Sequence, residues 1–125
     1  MIERLSGATR VVAVQLGGRS KVHPYSLLAH RSVIDDTFAG VPLTVFWSDS
    51  AFAPRVFSRR LDGRVLHLRW DGSAIRDTNG TRWSASTGAA VAGPLAGKSL
   101  QPLSFTFPYW FAWHSFHPRT VIARS

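Results

Sequence analysis

Short runs of β-forming residues, separated by turn residues, make up most of the chain. Two-residue turns of the kind that close β-hairpins occur at Gly17-Gly18, Asp62-Gly63 and Asn79-Gly80, each between two such runs. Glycine, and to a lesser degree Asn and Asp, tolerates the positive φ that tight type I′ turns require. The pattern therefore predicts three antiparallel hairpins.

Two strands carry further information on burial. In RVLHLRW, the second strand of the middle hairpin, Leu66, Leu68 and Trp70 fall on one face and the residues between them on the other. This alternation predicts one buried face and one wetter face. The segment VPLTVFW, after Gly40, is apolar almost throughout, which is typical of a strand buried on both faces.

Helical signals are few. One short helix is expected between Ser26 and Ser32, and a second between Pro108 and Phe116, where proline opens the segment and another proline follows it. We therefore predict a mainly β fold, a small hairpin-built β-barrel or sandwich with one or two short helices. Its length predicts a single domain over residues 1–125.

Composition narrows the chemistry. The chain has no cysteine, which excludes disulfides, thiolate metal sites, iron–sulfur clusters and a cysteine nucleophile. We expect no cofactor. No apolar stretch approaches the ~18 residues of a membrane span, and MIERLSGATR lacks the apolar segment of a secretory signal. From the sequence as given we expect a cytoplasmic protein without a transmembrane segment.

The charge balance is strongly basic. The formal net charge is +8, and arginine rather than lysine carries most of the excess. Positive potential raises the encounter rate with any polyanion, so an anionic partner is favoured, whether an acidic protein, a nucleic acid or a membrane surface. The alternative is that arginine side chains cover apolar neighbours along solvated strand faces.

Five segments in a fixed order resemble one known family. They are VAVQLGG, VIDDTFAGVPL, RRLDGRVL, WSASTGAAVAGPLAGKSL and WHSFHPRTVI, and together they run from about Val11 to Val121. This set resembles the family known as domain of unknown function 3179. The resemblance implies a shared fold rather than an activity, because the family has no settled function and a fold alone does not specify one.

The chain departs from the family pattern where reactive residues are expected. Relatives usually carry Cys-Pro-x-Cys after the apolar strand, where this chain has Ser48 to Ala51, and His-Glu where it has Arg31 and Ser32. The missing residue types bind metals or perform thiol and acid/base chemistry. A centre built from them in relatives is therefore absent here. Relatives are also often exported, which conflicts with the absence of a signal segment.

A catalytic alternative remains open. Asp35, Asp36 and Asp49 could converge near the loop that holds the cysteines in relatives, and neighbouring carboxylates serve acid/base work or bind a hard cation. His30 and Ser48, with one of these carboxylates, would supply the residue types of a hydrolytic triad. The simpler interpretation is ordinary turn chemistry, because Asp followed by Thr or Gly is common in turns.

A metal site is a weaker alternative. His114 and His117 are three residues apart on the predicted second helix, so both imidazoles could face one side. The competing interpretation is that they pack beside Trp110 and Trp113. No third ligand is evident in the sequence, and we predict no metal site.

The leading functional hypothesis is a non-catalytic or catalytically degenerate binding module for an anionic or protein partner. The residues expected to contact that partner are Arg55, Arg59, Arg60, Arg64, Trp47 and Trp83. Nucleic-acid binding through the segment from Arg55 to Arg82 is an alternative, because guanidinium groups pair with phosphates and aromatic rings stack on bases. The aromatic segment FTFPYWFAWHSF would mark a protein interface or self-association if part of it is exposed.

Overall fold

The computed structural model describes residues 5–124, so the predicted domain limits at 1 and 125 and the first four residues of MIERLSGATR lie outside it. The elements follow the order β1 (Val11–Leu16), β2 (Arg19–Pro24), α1 (Tyr25–Arg31), β3 (Val33–Phe38), β4 (Val41–Ser48), β5 (Ala53–Ser58), β6 (Arg60–Leu61), β7 (Arg64–Val65), β8 (Leu68–Trp70), β9 (Ile75–Asp77), β10 (Arg82–Trp83), β11 (Ala90–Ala92), α2 (Trp110–Phe116) and β12 (Val121–Ile122). Both helices occur where the sequence predicts them.

The strands form four open sheets. Their orders are β1-β2-β12, β3-β4-β5, β11-β10-β9-β8 and β6-β7. None of these sheets closes on itself, so the predicted barrel is wrong and the alternative, a sandwich, is confirmed. The physical reason is that β3-β4-β5 buries both of its faces, which a strand in a small barrel with a solvated exterior does not do.

The sheet β3-β4-β5 is the central layer. On one face Ile34, Val45 and Val56 pack against Val12 and Val14 of β1. The opposite face forms a second core, in which Phe46 and Phe57 pack with Leu68, Ile75 and Trp83 of the β8–β11 sheet. Six consecutive residues of β4 are buried, as the composition of VPLTVFW predicts.

Helix α2 covers the remaining face of β1-β2-β12. Trp110 and Trp113 pack there against a cluster that includes Val11, Ala13 and Val22. The layers therefore follow the order α2, β1-β2-β12, β3-β4-β5 and the β8–β11 sheet. No helix within residues 5–124 is both long and apolar enough to cross a membrane.

Two of the three predicted hairpin turns are confirmed. Gly17-Gly18 and Asp62-Gly63 each connect directly paired strands, and all four residues have positive φ. Asn79-Gly80 instead lies in a longer connection, because the last paired residues are Arg76 and Arg82. The buried carboxylate of Asp77 organises this loop by accepting hydrogen bonds from the backbone N–H groups of residues 79 and 81, at 2.8 and 3.0 Å.

Candidate functional site

The strand register separates the residues of the catalytic alternative. Asp36 lies opposite Leu43 near the start of β4, whereas Ser48 ends β4 five residues later, roughly 17 Å along an extended strand. Asp49 accepts a hydrogen bond from Trp47 Nε1 at 2.7 Å, and the Ser48 hydroxyl lies 3.3 Å from that of Ser50. Asp36, Asp49 and Ser48 therefore do not converge.

Asp36 belongs to an internal ion-pair network. Its Oδ2 lies 2.7 Å from Lys21 Nζ and 3.0 Å from Nε2 of the fully buried His23, both on β2. Burial raises the pKa of this carboxyl, but hydrogen bonds and charge interactions with these two partners outweigh it and lower the pKa to about 2. Asp36 is therefore a strand residue that links two layers, and the turn interpretation is wrong for it.

Asp35 faces the other side of β3, because side chains alternate along a strand. Its Oδ2 accepts a hydrogen bond from the Leu68 backbone N–H at 2.7 Å and lies 3.9 Å from Arg59 Nη1. Oδ1 is buried without a hydrogen-bond partner among the described residues. Burial raises the pKa of Asp35 despite the Leu68 hydrogen bond and the nearby Arg59. Because Oδ1 is buried, only Oδ2 of this carboxyl can be reached from outside the fold.

Asp35 and His30 line the same surface groove, which lies between the end of α1 and β8. We call it the α1–β8 groove; its volume is about 440 Å³, and its lining consists of His30, Arg31, Val33, Asp35, Leu68, Arg69 and Trp70. Only these two of the catalytic candidates are brought together. In the part of the chain that the structure describes, His30 forms no hydrogen bond with Ser48, Asp36 or Asp49.

The two candidate metal ligands each pack on a tryptophan. The ring centroids of His114 and Trp110 are 4.9 Å apart, and those of His117 and Trp113 are 4.0 Å apart in a stacked arrangement. No group of three or more His, Asp or Glu side chains within residues 5–124 is placed to hold a metal ion.

Half of the predicted partner-binding residues lie inside the fold. Arg59, Trp47 and Trp83 are 5%, 4% and 3% exposed, so they cannot form a contact surface. The Arg59 guanidinium donates hydrogen bonds to three backbone carbonyls, those of residues 36, 43 and 66, at 2.8 to 2.9 Å. These three predictions are corrected on that ground. The other three residues, Arg55, Arg60 and Arg64, are exposed.

Three arginines of the segment from Arg55 to Arg82 form a row that the sequence did not predict. Arg69, Arg76 and Arg82 are directly opposite one another on β8, β9 and β10, so they project from the same face. The other face of these strands supplies Ile75 and Trp83 to a core, which places the three arginines on the outside of the molecule. We call this surface the arginine face. Strand alternation was a usable signal, but the register around Asn79-Gly80 was not predicted correctly.

Only the middle arginine of this face is neutralised. Arg76 Nε lies 2.5 Å from Asp71 Oδ2, and hydrogen bonds from Arg76 and the residues around Ser73 hold the pKa of Asp71 well below its usual range. The Arg69 and Arg82 guanidinium groups form no ion pair or hydrogen bond within the described residues. Two unneutralised guanidinium groups therefore flank a neutralised one.

A second cavity lies between the β1–β2 turn and the segment that follows α2. It has a volume of about 580 Å³ and is lined by Gly18, Arg19, Ser20, His117, Pro118, Arg119 and Val121. It is larger than the α1–β8 groove, but its histidine stacks on Trp113 and its Arg19 guanidinium lies 5.1 Å from the centre of the Phe38 ring. These side chains are already occupied by contacts within the protein.

Comparison with known proteins identifies the family. The model described as Protein of unknown function (DUF3179) matches residues 3–120, nearly the whole chain. The chain belongs to this family. No curated protein and no solved structure matches the chain.

Ser48 to Ala51, where the resemblance implies Cys-Pro-x-Cys in relatives, lie at the end of β4 and in the loop that leads to β5. Aromatic rings pack around it: the Trp47 ring centroid lies 5.0 Å from that of Tyr25, 4.9 Å from that of Phe52 and 5.9 Å from that of Phe107. Such contacts stabilise a loop through ring packing. The Asp49 carboxylate anchors the same loop by accepting from the Trp47 indole.

All six carboxylates in the described part of this DUF3179 chain are engaged inside the molecule. Their partners include the Leu68 N–H for Asp35, Lys21 for Asp36, the Trp47 indole for Asp49, Lys98 for Asp62, Arg76 for Asp71 and the Trp83 indole for Asp77. The excess of arginine is therefore not neutralised within the protein. The surface of the protein is therefore strongly basic.

Proposed function

We propose that this protein is a non-catalytic binding module that holds an acidic partner protein on the arginine face. The single observation that carries this proposal is the register that aligns Arg69, Arg76 and Arg82 across three neighbouring strands. Asp71 neutralises Arg76 and leaves Arg69 and Arg82 on either side of it without an acidic partner among the described residues. A carboxylate-bearing surface would supply the missing partners.

The geometry of arginine fits carboxylates. Each guanidinium group is planar and offers a fork of donors that matches a carboxylate in a bidentate manner. Neighbouring strands are about 4.8 Å apart, so the row presents its donors at a regular spacing. The acidic side chains of the chain's described part have partners already, which leaves Arg69 and Arg82 available.

A protein partner is favoured over a nucleic acid by the position of the aromatic rings. Single-stranded nucleic acids bind to surfaces where exposed rings stack on successive bases. In the segment from Arg55 to Arg82, Phe57 is buried in the core, and Trp70 faces away from the arginine face because it is adjacent to Arg69 on the strand. The arginine face thus offers charge without a stacking platform.

Poly-L-glutamate is a suitable probe for this surface. We expect the double variant Arg69→Ala/Arg82→Ala to bind it roughly 10-fold more weakly than the unaltered protein, about 1.4 kcal/mol, because the two unneutralised donors are removed. Affinity should fall as salt is raised. Isothermal titration calorimetry at two salt concentrations measures both effects.

The matched control removes the same charge elsewhere. Arg55→Ala/Arg119→Ala changes two exposed arginines outside the arginine face and should weaken binding less than about 2-fold. Equal losses in the two double variants would mean that only net charge matters and would overturn the proposal. Tighter binding of an oligothymidylate than of poly-L-glutamate, lost in the same Arg69/Arg82 variant, would replace the acidic protein with a nucleic acid.

A further inference from the structure

The α1–β8 groove combines three kinds of chemistry that no single structural role explains. Its lining contains two arginines, Arg31 and Arg69, one carboxyl, Asp35, and one exposed indole, Trp70. Its volume of about 440 Å³ falls in the range of small-molecule sites, about 300–1,000 Å³. The groove is therefore large enough for a ligand and is chemically mixed.

The exposed indole is the first unexplained feature. Trp70 is on the same face of its sheet as Ile75 and Trp83, which are both buried in the core. Trp70 nevertheless remains 45% exposed, on β8 at the edge of this sheet. An exposed indole at the wall of a groove offers a surface on which a flat ring can stack.

The two arginines are the second feature. Neither the Arg31 nor the Arg69 guanidinium forms an ion pair or hydrogen bond within residues 5–124, and both residues line the groove. Arg31 ends helix α1, where a cation interacts favourably with the helix dipole. Arg69 has no such favourable charge interaction among the described residues, because it lies opposite Arg76. Two unpaired guanidinium groups in one groove are suited to a phosphate group.

The carboxyl is the third feature, and it narrows the choice of ligand. The side chain of Asp35 is 22% exposed, but its Oδ1 is buried, so a ligand can reach only Oδ2, which already accepts from the Leu68 N–H and keeps a second lone pair. A carboxylate repels a bare phosphate but accepts hydrogen bonds from sugar hydroxyls, the role that an acidic residue has toward ribose in dinucleotide sites. A ligand that fits all three features has a flat ring, hydroxyl donors and a phosphate.

We infer that the α1–β8 groove binds a nucleoside phosphate, with the base on Trp70, the ribose hydroxyls toward Asp35 and the phosphate between Arg31 and Arg69. This site differs from the acidic-partner surface and shares only Arg69 with it. The groove holds one nucleotide rather than a strand, because the arginine face beyond it carries no stacking ring.

Adenosine monophosphate is the probe, titrated by calorimetry at low salt. Trp70→Ala should weaken its affinity about 10-fold, because stacking of a base on an aromatic ring is lost, and Trp70→Phe should retain most of the affinity. Arg31→Ala should cause a similar loss. Arg82→Ala is the matched control for Arg31→Ala: it removes one charge from the arginine face, changes no residue that lines the groove and should change the affinity less than about 2-fold.

Three ligands and one spectroscopic measurement make the outcome decisive. Inorganic phosphate should bind at least about 10-fold more weakly than adenosine monophosphate, because it cannot stack and is repelled by Asp35. Equal or tighter binding of phosphate, tighter binding of phosphotyrosine, or no saturable binding of adenosine monophosphate would overturn the inference. If Trp70→Ala does not fold, the indole N–H resonance of Trp70 in the unaltered protein replaces it, and a resonance that does not shift on titration counts against the site.

Loss of nucleotide binding in the groove can be distinguished from loss of acidic-partner binding on the arginine face. The groove is tested by Trp70 and Arg31, which do not belong to the arginine face. That face is tested by the Arg69→Ala/Arg82→Ala variant, and Arg82→Ala alone separates the two sites because Arg82 does not line the groove.

Discussion

At the scale of single residues, position inside the layers decides what a charged side chain does. Arg59 looks from the sequence like one of several surface arginines, but its guanidinium is buried and donates to backbone carbonyls of β3, β4 and the segment before β8. Buried donors and acceptors that lose their partner are costly. This residue fastens the central sheet to the second core and is structural.

Replacement of Arg59 by alanine should be strongly destabilising. Three buried carbonyls and the nearby Asp35 carboxyl lose a donor, and we expect the free energy of unfolding to fall by about 3–5 kcal/mol. Urea denaturation measures it. The neighbouring Arg60 is exposed, so Arg60→Ala should change the same quantity by less than about 0.5 kcal/mol. A loss below about 1 kcal/mol for Arg59→Ala would contradict the structural role.

The Asp36 carboxyl should make stability depend on acid pH. Its pKa is lowered from an ordinary 3.8 to about 2 by Lys21 and His23, so the folded state holds fewer protons than the unfolded state between these values. This contribution is complete above pH ~4 and is lost as the pH falls through ~2, roughly 1–2 kcal/mol after screening by solvent. Urea denaturation at pH 2 to 6 should show this slope, and Asp36→Asn should reduce it. An unchanged slope in the variant would assign the acid sensitivity to other carboxyls.

At the scale of elements, the sequence predicted turns that depend on two adjacent residues but not a connection that depends on a hydrogen-bonded side chain. The turns at Gly17-Gly18 and Asp62-Gly63 were predictable because two adjacent residues specify the turn geometry. The connection around Asn79 was not, because the Asp77 carboxylate replaces a tight turn with hydrogen bonds to a longer loop. This loop sets the pairing of β9 with β10, on which the arginine face depends. The alignment of the three arginines therefore could not be predicted from the sequence.

Close packing between elements gives a test at Gly88. A Cβ built there would lie 2.5 Å from Phe57 Cε1, and the ring of Phe57 is buried. Gly97 also has positive φ but has open space around its Cα, so Gly97→Ala measures backbone strain alone, about 1–2 kcal/mol. Gly88→Ala should cost about 1–3 kcal/mol more, from the clash with Phe57. Equal losses in thermal or urea unfolding would show that the Phe57 ring yields freely.

At the scale of the whole molecule, the stack of layers puts different chemistry at its two ends. The arginine face forms one end, whereas α2 presents Phe111 and Phe116, 62% and 83% exposed, at the other. The mainly β class and the two short helices were predictable from turn and proline signals. The order of the layers was not, because it depends on which apolar faces meet across the chain, and no local pattern specifies that pairing.

The central sheet couples the binding of a partner to the stability of the fold. Val45 and Phe46 are adjacent on β4 and pack into opposite cores. Separation of either outer layer would therefore expose one face of this strand to water. The β8–β11 sheet is the roof of one of those cores and also carries the arginine face. A partner that binds the arginine face would raise the free energy of unfolding by mass action, because it binds only the folded sheet. The core beneath the sheet would be stabilised although the partner touches no buried side chain.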